Sequence, residues 1–217
     1  MMGVPLSAAL LLLLSVGLKE QVVESCSCGL GHPQEFFCMS DIVMRAEITG
    51  EKLIPGDENR NGMGEIQYDI KVIKVFKGSD KIKNIQHVYT SEMSSMCGTR
   101  LDHDQYLLSG SIMFDKFSVT MCDFVMRWNK LSLMMKNNFK YRYQLGCDCK
   151  ISSCTEQPCL PNTKNECILS DLSSTWSIVY TEPVHEYACI RHSNGSCSWY
   201  TGPAKPSGND TMDASDV

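Results

Sequence analysis

Twelve cysteines, all of them after residue 25, set the terms on which this 217-residue chain can fold. An even number of thiols in an oxidising compartment pairs fully, so six bridges are expected. The first two, Cys26 and Cys28, are separated only by Ser27. If both are bridged to the body, that stretch becomes a rigid, exposed wedge instead of the frayed end most domains have.

The compartment is read from what precedes the wedge. The apolar run Ala8 to Leu14 is shorter than the roughly 20 residues a membrane span needs, and polar Lys19-Glu20-Gln21 follows it. Residues 1–25 therefore read as a secretory signal, although Met1-Met2-Gly3 carries no basic residue. Val23 and Ser25 are acceptable small residues for a cut before Cys26. No second apolar stretch approaches membrane length, so the expected product is secreted, in the extracellular space or matrix, without a membrane span. The net charge of −5 argues against nucleic acid, whose phosphates require a basic face. Cys-x-Cys occurs at Cys26/Cys28 and again at Cys147/Cys149, and thiolates bind zinc. The compartment and the lack of Cys-x-x-Cys pairs with following histidines favour disulfides instead.

Along the chain, His32 precedes a short helix from Pro33 to Cys38, with Pro33 in the first turn, where its missing N–H costs nothing. Ile42, Met44, Ala46 and Ile48 alternate with Val43, Arg45, Glu47 and Thr49, giving a strand over residues 41–54 with one buried face. Residues 55–64 are dense in turn formers and read as a long hairpin loop. In the second strand Ile66, Tyr68, Ile70 and Val72 share a face, and the apolar phase then switches at Ile73 and Val75, as a β-bulge would make it. Further strands are expected over 82–90, 104–112 and 117–122. The loop 91–98, which carries Cys97, is a candidate mooring for Cys26. Short, adjacent strands of this kind point to a mainly β fold with short helices, a closed or nearly closed antiparallel barrel of five strands, and Leu131, Met134, Met135 and Phe139 to a helix packed on it.

Six of the twelve cysteines lie from Cys149 onward. The expected organisation is a barrel domain over 26–147, a small disulfide-stapled module over 148–205, and a flexible acidic tail over 206–217. Asn194-Gly195-Ser196 and Asn209-Asp210-Thr211 have the form of glycan acceptors, with Asn209 the better placed, because Asn194 stands close to Cys197. No His-Glu-x-x-His, Gly-x-Ser-x-Gly or phosphate-binding glycine loop is present, and His185-Glu186 is a lone fragment. The expectation is a protein that is not an enzyme and has no cofactor of its own.

Seven segments then carry a resemblance. Cys26-Ser27-Cys28, His32-Pro33-Gln34 with Cys38, Asp41 to Ala46, Val75-Phe76-Lys77-Gly78, Cys122-Asp123-Phe124, Tyr143 to Cys147 and Gly195 to Tyr200 resemble the tissue inhibitors of metalloproteinases over the whole mature chain. The resemblance implies an OB-like, netrin-like barrel followed by the smaller module. It also implies the bridges Cys26–Cys97, Cys28–Cys122, Cys38–Cys147, Cys149–Cys197, Cys154–Cys159 and Cys167–Cys189.

The implied partners are zinc metalloproteinases, matrix metalloproteinases and membrane sheddases among them, bound by a monomeric inhibitor. In an extended segment alternate side chains point opposite ways, so Ser27 faces outward if Cys26 and Cys28 turn inward. The amine and carbonyl of Cys26 would chelate the protease's zinc, and Ser27 would enter the adjacent specificity pocket. Gly29 and Leu30 continue this contact strip, and the loop Met93-Ser94-Ser95-Met96 forms its second half. Gly29-Leu30 departs from the family pattern of a small residue followed by proline, which softens the ridge. The competing expectation is an extracellular netrin-like binding module that blocks no protease.

Overall fold

The computed structural model describes residues 26–29, 31–56, 62–82, 85–154, 159–169 and 186–200. Outside them lie the expected leader, Leu30, the middle of the 55–64 loop, His185, Asn209 and the expected tail.

The chain enters through α1 (Pro33–Met39), with Pro33 in its first turn. His32 caps it: its Nδ1 accepts from Gln34 N at 3.2 Å, while Glu35 Oε2 accepts from His32 N at 2.8 Å. This reciprocal cap satisfies donors that a seven-residue helix would otherwise leave open. At the other end Lys77 Nζ donates to the carbonyls of Phe37 and Cys38, at 3.0 and 2.6 Å, and ties the helix to the barrel.

β1 (Ile42–Ile54) and β2 (Glu65–Lys77) form the longest hairpin. They are followed by β3 (His87–Ser91), β4 (Gln105–Met113), β5 (Lys116–Ser118) and β6 (Val125–Arg127). The sheet order is β1-β2-β3-β5-β4-β6, and β4 pairs back onto β1. Five strands therefore close a ring. An odd number of strands cannot alternate direction all the way round, so one neighbouring pair must run parallel. That pair is β3 and β5, through Tyr89 and Ser118. The expected all-antiparallel barrel is thus corrected to four antiparallel seams and one parallel one.

The phase switch in the second strand has its counterpart in the β1–β2 register. Arg45 pairs with Lys74 and Ala46 with Val72, leaving Ile73 as the extra residue of a bulge. Two further shifts, at Val43/Met44 and Ile48/Gly50, increase the curl that closes the ring.

Two cores result. Inside the ring Ile42, Met44, Ala46, Ile48, Ile66, Tyr68, Val88, Tyr106, Leu108 and Phe117 pack together. Val43 and Leu107 point outward into a second core, with Phe37, Phe124, Trp128, Leu131, Met135, Phe139 and Tyr143. The first half of β1 is accordingly buried on both faces, not one, because helical segments cover its outer side. The single helix expected between Trp128 and Tyr143 is broken. Trp128–Lys130 is 3₁₀, α2 spans Leu133–Asn137, Asn138–Arg142 winds as a π-helix, and Tyr143–Gly146 is 3₁₀ again.

Two other expectations are corrected. The third strand begins at His87, not residue 82, since Ile85 N bonds Ile82 O in a turn. The fifth ends at Ser118, because Asp123 Oδ2 accepts from both Thr120 N and Thr120 Oγ1, each at 2.8 Å, and bends the chain.

In the C-terminal part β7 (Lys150–Ser153) pairs in parallel with β8 (Glu166–Leu169), and β9 (Ala188–Arg191) pairs antiparallel with β10 (Cys197–Tyr200). Among the described residues its own core is Cys167, Cys189 and Cys197, with Cys149, Ile151 and Trp199 packed against them. It leans on the barrel side: Ala188 joins the second core, Trp199 lies 5.2 Å from the His32 ring, and Arg142 stacks over Tyr200 at 4.6 Å.

Candidate functional site

The wedge is set by two neighbouring bridges. Cys26 pairs with Cys97 and Cys28 with Cys122, with Cα–Cα separations of 5.2 and 5.0 Å. The bridges stack: Cys122 Sγ lies 3.7 Å from Cys97 Sγ and 3.8 Å from Cys26 Sγ. Cys26 and Cys28 are half-buried while Ser27 and Gly29 are exposed, the alternation of an extended segment. The other pairs are Cys38–Cys147, Cys149–Cys197, Cys154–Cys159 and Cys167–Cys189, the same set that the resemblance implies.

The loop after β3 is folded against the first bridge. Glu92 N donates to Gly64 O at 3.0 Å and Met93 N to Ser91 Oγ at 3.2 Å. Met93 O then accepts from Met96 N and Gly98 N, both at 3.1 Å, around a 3₁₀ turn over Ser94–Met96. Cys97 adopts the left-handed region, φ 60°, which a non-glycine residue enters only when its surroundings hold it there. A Cβ on Gly98 would strike Ser91 O, so only glycine lets the loop close back on β3. The structure thus brings Met93, Ser94, Ser95 and Met96 to the bridge that anchors Cys26.

A third segment completes the surround, and the sequence reading missed it. Met121 N donates to Cys97 O at 2.8 Å, and Cys122 N to Thr120 Oγ1 at 3.2 Å, which fixes the turn carrying the second bridge. Asp123 supplies the acceptor for that turn, and burial pushes its carboxyl above the ordinary value against the pull of the Thr120 hydrogen bonds. The local signal was a Thr-x-x-Asp spacing, which also occurs in many unremarkable turns.

Metal-thiolate chemistry finds no ligand here. The sulfurs of Cys26, Cys97 and Cys122 cluster, as do those of Cys149, Cys189 and Cys197, yet each is consumed in a bridge and no cysteine is free. Among the histidines, His32 is buried as the helix cap, and His87 pairs with Asp69 at 2.8 Å. His192 Nε2 meets Ser198 Oγ at 2.6 Å across the exposed β9–β10 hairpin.

Asn194 stands at the tip of that hairpin, exposed. Its Oδ1 accepts from Ser196 N at 3.0 Å and Ser196 Oγ at 2.7 Å. Among the described residues no helix is long and apolar enough to cross a membrane.

The family model described as tissue inhibitor of metalloproteinase matches residues 24–199. The chain is 39% identical to metalloproteinase inhibitor 3 of Scyliorhinus torazame, over 92% of this chain and 93% of that protein. It is 41% identical to metalloproteinase inhibitor 2 of Rattus norvegicus, over 90% of each, and 40% identical to metalloproteinase inhibitor 4 of Mus musculus, over 82% of each.

Proposed function

The chain belongs to the tissue inhibitor of metalloproteinase family, whose members are inhibitors and not enzymes, and from that premise we propose how its residues block a protease. The observation that carries the reading is the stacked pair of bridges. It holds Cys26-Ser27-Cys28 beside the 93–96 loop with Ser27 exposed.

The active form begins at Cys26, after removal of the leader, and is secreted. Its α-amino group titrates near pH ~8, and contact with a metal favours the unprotonated form further. The Cys26 nitrogen and carbonyl oxygen then take the open position on the target protease's zinc, displacing the water that hydrolysis needs. Ser27 enters the pocket beside it. Residues 26–147 form the inhibitory unit. Gly29, Leu30 and the loop Met93 to Met96 extend the contact.

Rigidity supplies the affinity. Fixing a backbone residue costs roughly 1–2 kcal/mol, and the bridges together with the 3₁₀ turn have ordered both halves of the ridge before any protease arrives. The partners are zinc metalloproteinases. We also read Asn194 as a glycan acceptor on the C-terminal hairpin, turned outward while Cys197 is bridged inward.

The test compares two recombinant chains against a matrix metalloproteinase, one starting at Cys26 and one with an added alanine before it. Inhibition by the first and not the second is expected, since an amide nitrogen cannot chelate. Equal inhibition by both would sink the chelation mechanism. Failure of both, with the fold intact, would favour a binding module without inhibition.

A further inference from the structure

Three methionines surround the wedge; the reading above uses Met93 and Met96 only as contact surface and gives Met121 no part. Met93 and Met96 are 43% and 49% exposed, and Met121 is 41% exposed. Their backbones are tied to the bridges. Met96 precedes Cys97, Met121 precedes Cys122 and bonds Cys97 O, and Met93 O closes the 3₁₀ turn. A thioether is polarizable and adaptable, well suited to covering an irregular partner surface. It is also the side chain that peroxides convert to a polar sulfoxide.

We propose that Met93 and Met96, with Met121 beside them, form an oxidation site that switches inhibition off; this rests on the zinc-blocking reading above. The oxidant is a hydroperoxide. The thioether sulfur supplies an electron pair, the O–O bond breaks, an S–O bond forms, and the peroxide is reduced to water or an alcohol. No thiol competes for the oxidant, because every cysteine is already bridged. A sulfoxide pressed against a protease surface loses its water without gaining a donor, and burying an unsatisfied polar group is costly. The core methionines Met44 and Met135 are buried and shielded, which confines the reaction to the surface. Met39 and Met113 are exposed as well, but they sit on the last residue of α1 and the end of β4, so they serve as internal controls.

The experiment treats the Cys26-starting chain with hydrogen peroxide and maps added oxygen by peptide mass. The inhibition constant is measured before and after treatment. Oxidation at Met93 and Met96 is expected to weaken inhibition about tenfold or more, and methionine sulfoxide reductases are expected to restore it. The triple variant M93L/M96L/M121L is compared with itself, and its ratio of treated to untreated inhibition is expected to stay near one. The proposal is overturned by full oxidation of Met93 and Met96 without loss of inhibition. It is equally overturned if the triple variant loses as much as the parent. An untreated parent that does not inhibit overturns the underlying reading, and this proposal with it.

Discussion

The side-chain amide of Gln34 bonds both backbone groups of Cys189. Its Nε2 donates to Cys189 O at 2.6 Å, and its Oε1 accepts from Cys189 N at 2.8 Å. Gln34 therefore acts toward β9 as a neighbouring strand would, and it does so from α1, the helix that follows the wedge. Gly146 lies against the same carbonyl so closely that a Cβ there would collide with Cys189 O. The C-terminal strands are held to α1 by this small polar joint, together with Ala188 in the second core.

Gln34→Leu removes both partners of a buried backbone pair and can replace neither. Each orphaned group costs about 1–3 kcal/mol, so a loss of roughly 2–6 kcal/mol is expected, read as a lower urea midpoint. Gly146→Ala is expected to act in the same direction, by displacing β9. An unchanged midpoint in Gln34→Leu would mean that water replaces the amide.

Asp123 gives a pH signature of known sign. Its carboxyl is raised in the fold, so the protonated form is favoured there, and that contribution is lost as pH rises through the folded pKa. Asp123→Asn keeps one oxygen to accept from both Thr120 donors, since a single oxygen, Oδ2, accepts both. The variant also removes a buried charge. It is expected to be more stable than the parent near neutral pH, with the difference shrinking as pH falls toward 3.8, the ordinary value of the group. Denaturation midpoints at the two ends of that range check it; a constant difference would assign the effect to packing.

What the sequence revealed were the features written in local pattern. The alternation in Ile42 to Ile48 and the slip at Ile73 are visible because strand periodicity is two and a bulge changes its phase. The wedge is visible because Cys-x-Cys just after an expected leader is so unusual a place for two bridges. The parallel β3–β5 seam was not visible. A single residue pair, Tyr89 and Ser118, leaves no periodic trace, and its direction follows only once the ring is known to close. β6 is three residues long and exists through its pairing with β4. Met121 joins the site through Cys97 O, and Gln34 meets Cys189 across a separation of 155 residues; no window of sequence holds either contact.

Asn194 is expected to carry an N-linked glycan when the chain is made in glycosylating secretory cells. The sequon is intact, the hairpin tip is exposed, and a Cβ built on Gly195 meets nothing within 4 Å, so the space around the turn is open. Enzymatic deglycosylation in heavy-oxygen water should leave a labelled aspartate at this position. A parallel incubation in the same water without the enzyme measures the label that spontaneous deamidation of Asn194-Gly195 introduces, and only the excess over it reports glycan removal. N194Q, made alongside N209Q to remove the second acceptor, should abolish the label and the mobility shift at this site. An unlabelled Asn194 peptide in the parent would exclude the site.

Gly29 is where the ridge can be improved. It is exposed, its backbone is not in the left-handed region, and a Cβ there meets nothing within 4 Å. Its conformational freedom therefore serves no steric need in the free inhibitor. Gly29→Ala restricts the chain where the native conformation already allows a side chain, an effect worth about 0.4–1 kcal/mol in comparable cases. Applied to docking instead of folding, this corresponds to a gain of roughly two- to fivefold in affinity. The slower dissociation should appear in a progress-curve assay on the Cys26-starting chain. If Gly29→Ala weakens binding, the side chain clashes with the protease surface, and glycine is there to admit the partner. If the affinity does not move, the bridges have already ordered the strip, and the missing proline after Gly29 costs the inhibitor nothing.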